Sequence, residues 1–291
     1  MNEFKMYHPT VSLIYFAFAI GLACTQMHPM MLVSSLVGSF LYMCMLSGKN
    51  ALQSLAFLVP AMVLTAAINP LFNHGGVTIL EYLPDGNPLT LESIIYGLCA
   101  AVSLVSVLCF FSSFSSVMTS DKFMYLFGRI IPSLSLVLSM TLRFVPLFAQ
   151  RLGKTAESQK CIGRGLEEKG VLTKIKNALR ILSITVTWAL ENAIDTADSM
   201  KARGYGTGKR TAYSNYRLEK RDVTALLYIL FLGVYVIVGT VSGSVEFSFF
   251  PAIRYAYVTM YSASVFVGYF LLCMTPVIIE LKEVRRWKYL R

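Results

Sequence analysis

Charge is scarce in this chain. Asp, Glu, Lys and Arg make up 14% of its 291 residues, where soluble domains carry about 25%. That deficit excludes an ordinary water-facing surface. Histidine is scarcer still: His8, His28 and His74 form no HExxH and no i, i+4 pair, which excludes a metal centre of the usual spacing. The six cysteines (24, 44, 99, 109, 161 and 273) include no CxxC pair and read as small buried hydrophobes. Catalytic signatures are missing too. There is no GxSxG elbow and no mid-membrane pair of acids. The glycines at 204, 206 and 208 resemble a phosphate loop only superficially. Such a loop needs Gly first and Ser or Thr after the Lys, and those places hold Arg203 and Arg210. No residue is assigned to catalysis, to a cofactor or to a metal, and an enzyme is not expected.

What the chain has in quantity is apolar length. It is 55% hydrophobic with a mean hydropathy of +0.59. A hydrocarbon core takes about 20 apolar residues to cross as a helix, and such runs are read at 10–26, 28–47, 50–72, 91–117, 222–242 and 255–279. The first lacks a basic n-region and a small-residue cleavage site, so it is expected to stay as a helix. Pro60 is tolerable as a membrane kink, and Pro70 marks the end of the third run. Apart from Asp222, which opens the fifth run, the one charged residue within these runs is Glu92, near the outer end of the fourth, and Arg254 lies just before the sixth.

The basic residues set the expected orientation. Eighteen of the 26 Lys and Arg lie between Thr119 and Asp222, and seven more are Lys5, Lys49 and the tail residues 282, 285, 286, 288 and 291. The loop 73–90 has Glu81 and Asp85 but no Lys or Arg. Six crossings with both termini in the cytoplasm put every cation but Arg254 inside, as the positive-inside rule prefers. The net charge of +10 is then a face turned to anionic lipid. Nucleic-acid binding would need a soluble basic module interleaved with aromatics, and none is present.

The specific chemistry must lie in 119–221. From Pro132 a helix shows a broad apolar surface, including Leu138, Leu142 and Val145. It then turns polar through Arg151, Lys154 and Lys160 and stops at Gly163. A second begins near Leu172, carries Ile184 and Trp188, passes an acidic stripe of Glu191, Asp195 and Asp198, and stops at Gly204. Glycine just past a helix end is the expected cap, and a cation there suits the dipole. Two helices built alike, each closing in Arg-Gly, suggest a docking device, because arginine presents a planar, always-charged fork to a carboxylate.

These residues carry a resemblance. Gly163-Arg164-Gly165 and Ser199-Met200-Lys201-Ala202-Arg203-Gly204-Tyr205-Gly206, with softer support from Asn69–Asn73 and Asp85–Thr90, are similar to motifs of the transmembrane T component of energy-coupling factor transporters. That family includes the cobalt-type T subunits, and the likeness covers essentially the whole chain. In the family two cytoplasmic coupling helices each end in Ala-Arg-Gly. Ala202-Arg203-Gly204 keeps that motif, whereas Gly163 stands where the family has Ala.

The resemblance implies an all-α polytopic membrane protein of about six transmembrane helices with a cytoplasmic pair of long amphipathic coupling helices. The stretches are 1–118 (helices 1–4), 119–221 (coupling region) and 222–291 (helices 5–6 and a basic tail). It also implies a role in the cell membrane as the coupling subunit of an ATP-driven importer of vitamins or transition-metal ions. Two cytoplasmic nucleotide-binding subunits would bind ATP and Mg and receive Gly163, Arg164, Gly165, Ala202, Arg203 and Gly204. A small substrate-capture membrane protein would meet Leu138, Leu142, Val145, Ile184 and Trp188. The alternative is an autonomous secondary transporter or channel, which the shortage of intramembrane charge disfavours.

Overall fold

The computed structural model describes residues 3–48, 51–82, 87–165, 167, 170–208, 216–257 and 259–289. Its elements are almost all helical: α1 (Pro9–Thr25), α2 (Pro29–Ser47), α3 (Ala51–Phe72), α4 (Leu91–Val117), α5 (Ser120–Ile130), α6 (Pro132–Cys161), α7 (Val171–Ala202), α8 (Lys220–Val241) and α9 (Met260–Tyr289). Two short antiparallel ladders complete it. One is β1 (Ile79–Tyr82) with β2 (Pro88–Thr90), the other β3 (Phe247–Ser248) with β4 (Arg254–Tyr255). The sequence had suggested six crossings. Among the described residues four helices, α2, α4, α8 and α9, are long and apolar enough to span a bilayer, while α1 and the 56–72 part of α3 are shorter apolar helices. Helix α5, which the sequence reading did not anticipate, is a short amphipathic piece before Pro132.

Sequence punctuation explains the helix starts. Helices α1 and α2 both open with His-Pro, and proline at the first position lacks only an N–H that would be unpaired anyway. The preceding histidine caps each: His8 Nδ1 accepts the Thr10 N–H at 3.3 Å and His28 Nδ1 accepts the Met30 N–H at 3.2 Å. Only a neutral ring can accept in this way. Burial holds both imidazoles below the usual histidine pKa, assisted at His8 by Lys122 and opposed there by Asp222.

The chain forms two compact units, 1–122 with 216–291, and 123–215. The first is the membrane scaffold, in which α4 packs on α1, α2 and α3, and α9 on α2 and α8. Close approach is set by small residues. A side chain at Gly38 of α2 would lie 2.7 Å from Cys273 Cβ of α9, so only glycine fits. At the centre Phe4, from a single 3-10 turn (Glu3–Met6), meets Tyr15 and Tyr42 edge-on at 5.4 and 6.0 Å. Edge-to-face pairs of this kind add to the area term. The Tyr15 hydroxyl donates to the Cys273 carbonyl at 3.2 Å, so its polar end is satisfied inside.

Several charges are also buried in the scaffold. Glu92, on the first turn of α4, accepts the Thr78 N–H and fixes the loop before β1. Glu280 of α9 accepts the Phe4 N–H at 3.5 Å. Asp222 caps α8 by accepting the Glu219 N–H at 3.1 Å and also takes the His8 N–H at 3.4 Å. Lys122, 3% exposed, donates to the Tyr7 carbonyl at 3.4 Å. Burial brings the Lys122 ammonium down to a pKa of about 8, Lys5 adding to the shift and Asp222 opposing it. Lys122 and Asp222 thus join the segment just before α1 to α5 and α8, and Glu280 joins Phe4 to α9.

Candidate functional site

The second unit is dominated by α6 and α7, of 30 and 32 residues. Residues near each other on one helix face recur every three or four positions, and two such stripes on α7 have different fates. Asn177, Ile181 and Thr185 are buried. On this side Trp188 packs edge-on against Phe148 of α6 at 5.9 Å, with the Arg151 guanidinium 4.8 Å over its ring. The other side of α7 presents Ile175, Leu179, Leu182, Val186 and Leu190, each between 48% and 63% exposed. Leu138, Leu142 and Val145 form a comparable exposed stripe on α6. Of the residues proposed from sequence to meet a capture protein, those three and Ile184 are therefore exposed. Trp188 is engaged within the helix pair. Ile184 lies one turn before it, outside the exposed α7 stripe, and no member of that stripe of five was proposed from sequence as a contact. Its period of three and four could have found it.

The acidic stripe on α7 stays on the surface. Asp198 meets Lys201 of its own helix at 3.4 Å, with both side chains mostly exposed, a pair of little energetic weight.

Both helices end in the same hydrogen-bonded reversal. At the first tip Gly163 adopts φ +72°, its N–H donates to the Lys160 carbonyl at 3.0 Å, and the Arg164 N–H donates to the Gln159 carbonyl at 2.9 Å. At the second, Gly204 adopts φ +84°, its N–H donates to the Lys201 carbonyl at 2.9 Å, and the Tyr205 N–H donates to the Met200 carbonyl at 3.0 Å. These are Schellman caps, with a left-handed glycine just past the helix. Gly163 thus has a stated purpose: the Ala of the family motif would be strained at that φ.

The caps also show how the arginines differ. Counted from the left-handed glycine, Arg203 precedes Gly204 as the C-cap, whereas Arg164 follows Gly163. Ile162 takes the place in the first tip that Arg203 has in the second, and Tyr205 answers to Arg164. Both arginines are exposed, and neither meets a carboxylate among the described residues. Gly165 is buried and its carbonyl accepts the Asn177 Nδ2–H at 3.0 Å. The nearby Lys160–Glu167 ion pair is 2.8 Å long. It raises the lysine pKa and lowers the glutamate pKa by direct hydrogen bonding. Nothing in the sequence pattern pointed to Asn177.

A multi-pass α-helical scaffold that carries a separate pair of capped, amphipathic helices defines the class: a membrane transport component. The chain belongs to the family described as cobalt transport protein, whose model matches residues 6–213. Within it the chain is a T component of energy-coupling factor transporters. It is 25% identical over 193 residues to the energy-coupling factor transporter transmembrane protein EcfT of Staphylococcus aureus, covering 62% of this chain and 71% of that one. The protein of the same name from Lactobacillus helveticus is 32% identical over 103 residues, 35% of this chain and 37% of that one. The Streptococcus equi protein is 30% identical over 103 residues, 35% and 38%. The chain thus spans under two fifths of the latter two relatives' lengths.

Proposed function

We propose that this T component couples ATP hydrolysis by two cytoplasmic nucleotide-binding subunits to substrate release from a small capture protein in the membrane. The region 119–221 is the coupling element, with the amino and carboxyl termini on its cytoplasmic side. ATP and Mg belong to the partner subunits; this chain holds the ATPases at Gly163–Gly165 and Ala202–Gly204. The observation that carries this role is the pair of exposed arginines, each set rigidly beside a left-handed glycine cap and unengaged among the described residues. Such a fork can take a carboxylate in a partner's groove. The exposed apolar stripes of α6 and α7 are the surfaces for the capture protein, with vitamins or transition-metal ions as the cargo.

Removing one partner of a desolvated interfacial charge pair costs about 2–5 kcal/mol. The test is purification of the tagged chain from its native cells in mild detergent. Two ATPase subunits should accompany the wild type and be lost from the Arg164→Ala, Arg203→Ala double variant. A chain that travels alone and still moves solute after reconstitution overturns the role in favour of an autonomous transporter.

A further inference from the structure

Within the first tip, Gly163 and Arg164 are exposed but Gly165 is buried, and its carbonyl is tied to α7. Asn177, on the second turn of α7 and 5% exposed, donates to that carbonyl at 3.0 Å. A primary amide so deep inside must have its hydrogen bonds met by protein. Here the partner is the backbone one residue beyond Arg164, so the bond fixes the direction in which the arginine leaves the cap. The Arg164 N–H is held from the other side by the Gln159 carbonyl. The second tip is built differently. Gly204, Tyr205 and Gly206 are exposed, and the Gly204 carbonyl is met by its own turn, through Thr207 Oγ1–H at 2.7 Å.

We propose that Asn177 is the positioning residue of the first tip. By fastening Gly165 to α7 it makes that one helix a bar carrying both arginines, the first tied near its start and the second formed by its end. Asn177 and Ala202 are 25 residues apart on a continuous helix, about 38 Å at 1.5 Å per residue. The separation of the two seats is then set by a rigid helix and not by the loop between α6 and α7. Force applied at either seat can travel along α7 to the other, and the part of the exposed stripe from Leu179 to Leu190 lies between them. This assignment rests on the docking role proposed above, and its tests are chosen to fail separately from that role.

The first test needs no partner. In the full chain in detergent at pH 8, Asn177→Asp keeps the shape but, as an acceptor-only carboxylate, offers no donor to the Gly165 carbonyl. Limited trypsin digestion should then cut after Arg164 about tenfold faster or more, the scale of losing a buried hydrogen bond, while cutting after Arg203 changes less than about twofold. Equal acceleration at both sites, or at neither, overturns the assignment. Asn177→Gln, which retains a donor, should recover slow cutting after Arg164; failure to do so also counts against it.

The second test uses the complex. In an Arg203→Ala background, where the first tip alone holds an ATPase, Asn177→Asp should lower the ATPase that co-purifies by about tenfold. In an Arg164→Ala background it should have no effect, because the tip it positions is already disarmed. Equal losses in the two backgrounds mean general destabilisation and overturn the assignment. If no ATPase accompanies even the wild type, the docking role fails, while the trypsin result still decides whether Asn177 orders the tip.

Discussion

The scaffold and the second unit are both helical and rich in apolar side chains, yet they use those residues in opposite ways. In the scaffold Phe4, Tyr15, Tyr42 and Tyr269 are at most 1% exposed, and residues far apart in sequence share each contact. In the second unit Val145, Leu179, Leu190 and Ile194 are all more than 60% exposed, and order comes from the helix caps, Asn177 and the packed seam between α6 and α7. The difference teaches where rigidity is needed. A scaffold must hold its shape in lipid, whereas the proposed coupling role asks the second unit to leave apolar surfaces uncovered for others to fill.

The sharpest way to break this contrast is to remove one large apolar side chain from each unit. Phe4→Ala should destabilise the scaffold by about 3–5 kcal/mol, the range for emptying a buried aromatic site. It should also free Tyr15 and Tyr42 from their shared edge contacts. Leu190→Ala should change unfolding by less than about 0.5 kcal/mol but reduce ATP-dependent uptake in the reconstituted complex. Thermal unfolding of both variants in detergent, beside uptake, checks the pair. Equal destabilisation would mean that the α7 stripe is covered within the chain.

The buried charges offer a second contrast, since among the described residues only the scaffold holds a strongly shifted cation. The Lys122 pKa of about 8 in the folded chain lies below the unfolded value near 10.4. Between those values the unfolded chain binds more protons, so stability rises with pH across that window. Below about pH 8 both states are charged, and the folded one bears the cost of burying the ammonium. Wild type should therefore gain on the order of 2 kcal/mol between pH 7.5 and 9.5 relative to Lys122→Met, which lacks the titrating group. The measurement is the difference of the two unfolding curves, which cancels the other lysines and tyrosines. Parallel curves would mean that Lys122 is charged at its ordinary pKa.

What could be read from sequence divides along the same line. The limits of α6 and α7 were legible to within two residues, because Pro132 opens α6 and Gly163 and Gly204 close α6 and α7, whereas α5 was not read. Those signals act locally. The class followed from the apolar runs, and the family from Ala202-Arg203-Gly204 with its Tyr-Gly extension. The buried roles of Lys122, Asp222 and Glu280 were not legible. Their partners, Tyr7, His8 and Phe4, lie 115, 214 and 276 residues away. Asn177 was hidden for a related reason: its partner is a backbone carbonyl, which every residue has. The two Arg-Gly pairs look equivalent as letters. Only the backbone shows that Gly163, and not Gly165, corresponds to Gly204.

That last correspondence gives the smallest effect and the finest test of the contrast. An L-residue in the left-handed region costs about 1–2 kcal/mol, so Gly163→Ala and Gly204→Ala should each loosen one helix end without touching the scaffold. No neighbouring atom lies within 4 Å of an added Cβ at Gly163, and the Thr207 hydroxyl is 3.4 Å from one at Gly204. Backbone strain, and not crowding, therefore dominates at both. Amide hydrogen exchange reads the result at Arg164 and Tyr205, whose N–H groups close the two caps. Gly204→Ala should speed exchange at Tyr205 by about 5- to 30-fold, the equivalent of that strain. Gly163→Ala should speed it less at Arg164, because Asn177 and the Lys160–Glu167 pair still hold the turn. Exchange in α1, α2 and α9 should stay the same in both variants, since their order comes from packing within the scaffold. If the first tip loosens as much as the second, the ties to α7 add nothing to the cap, and the two tips are mechanically alike despite their different arginines.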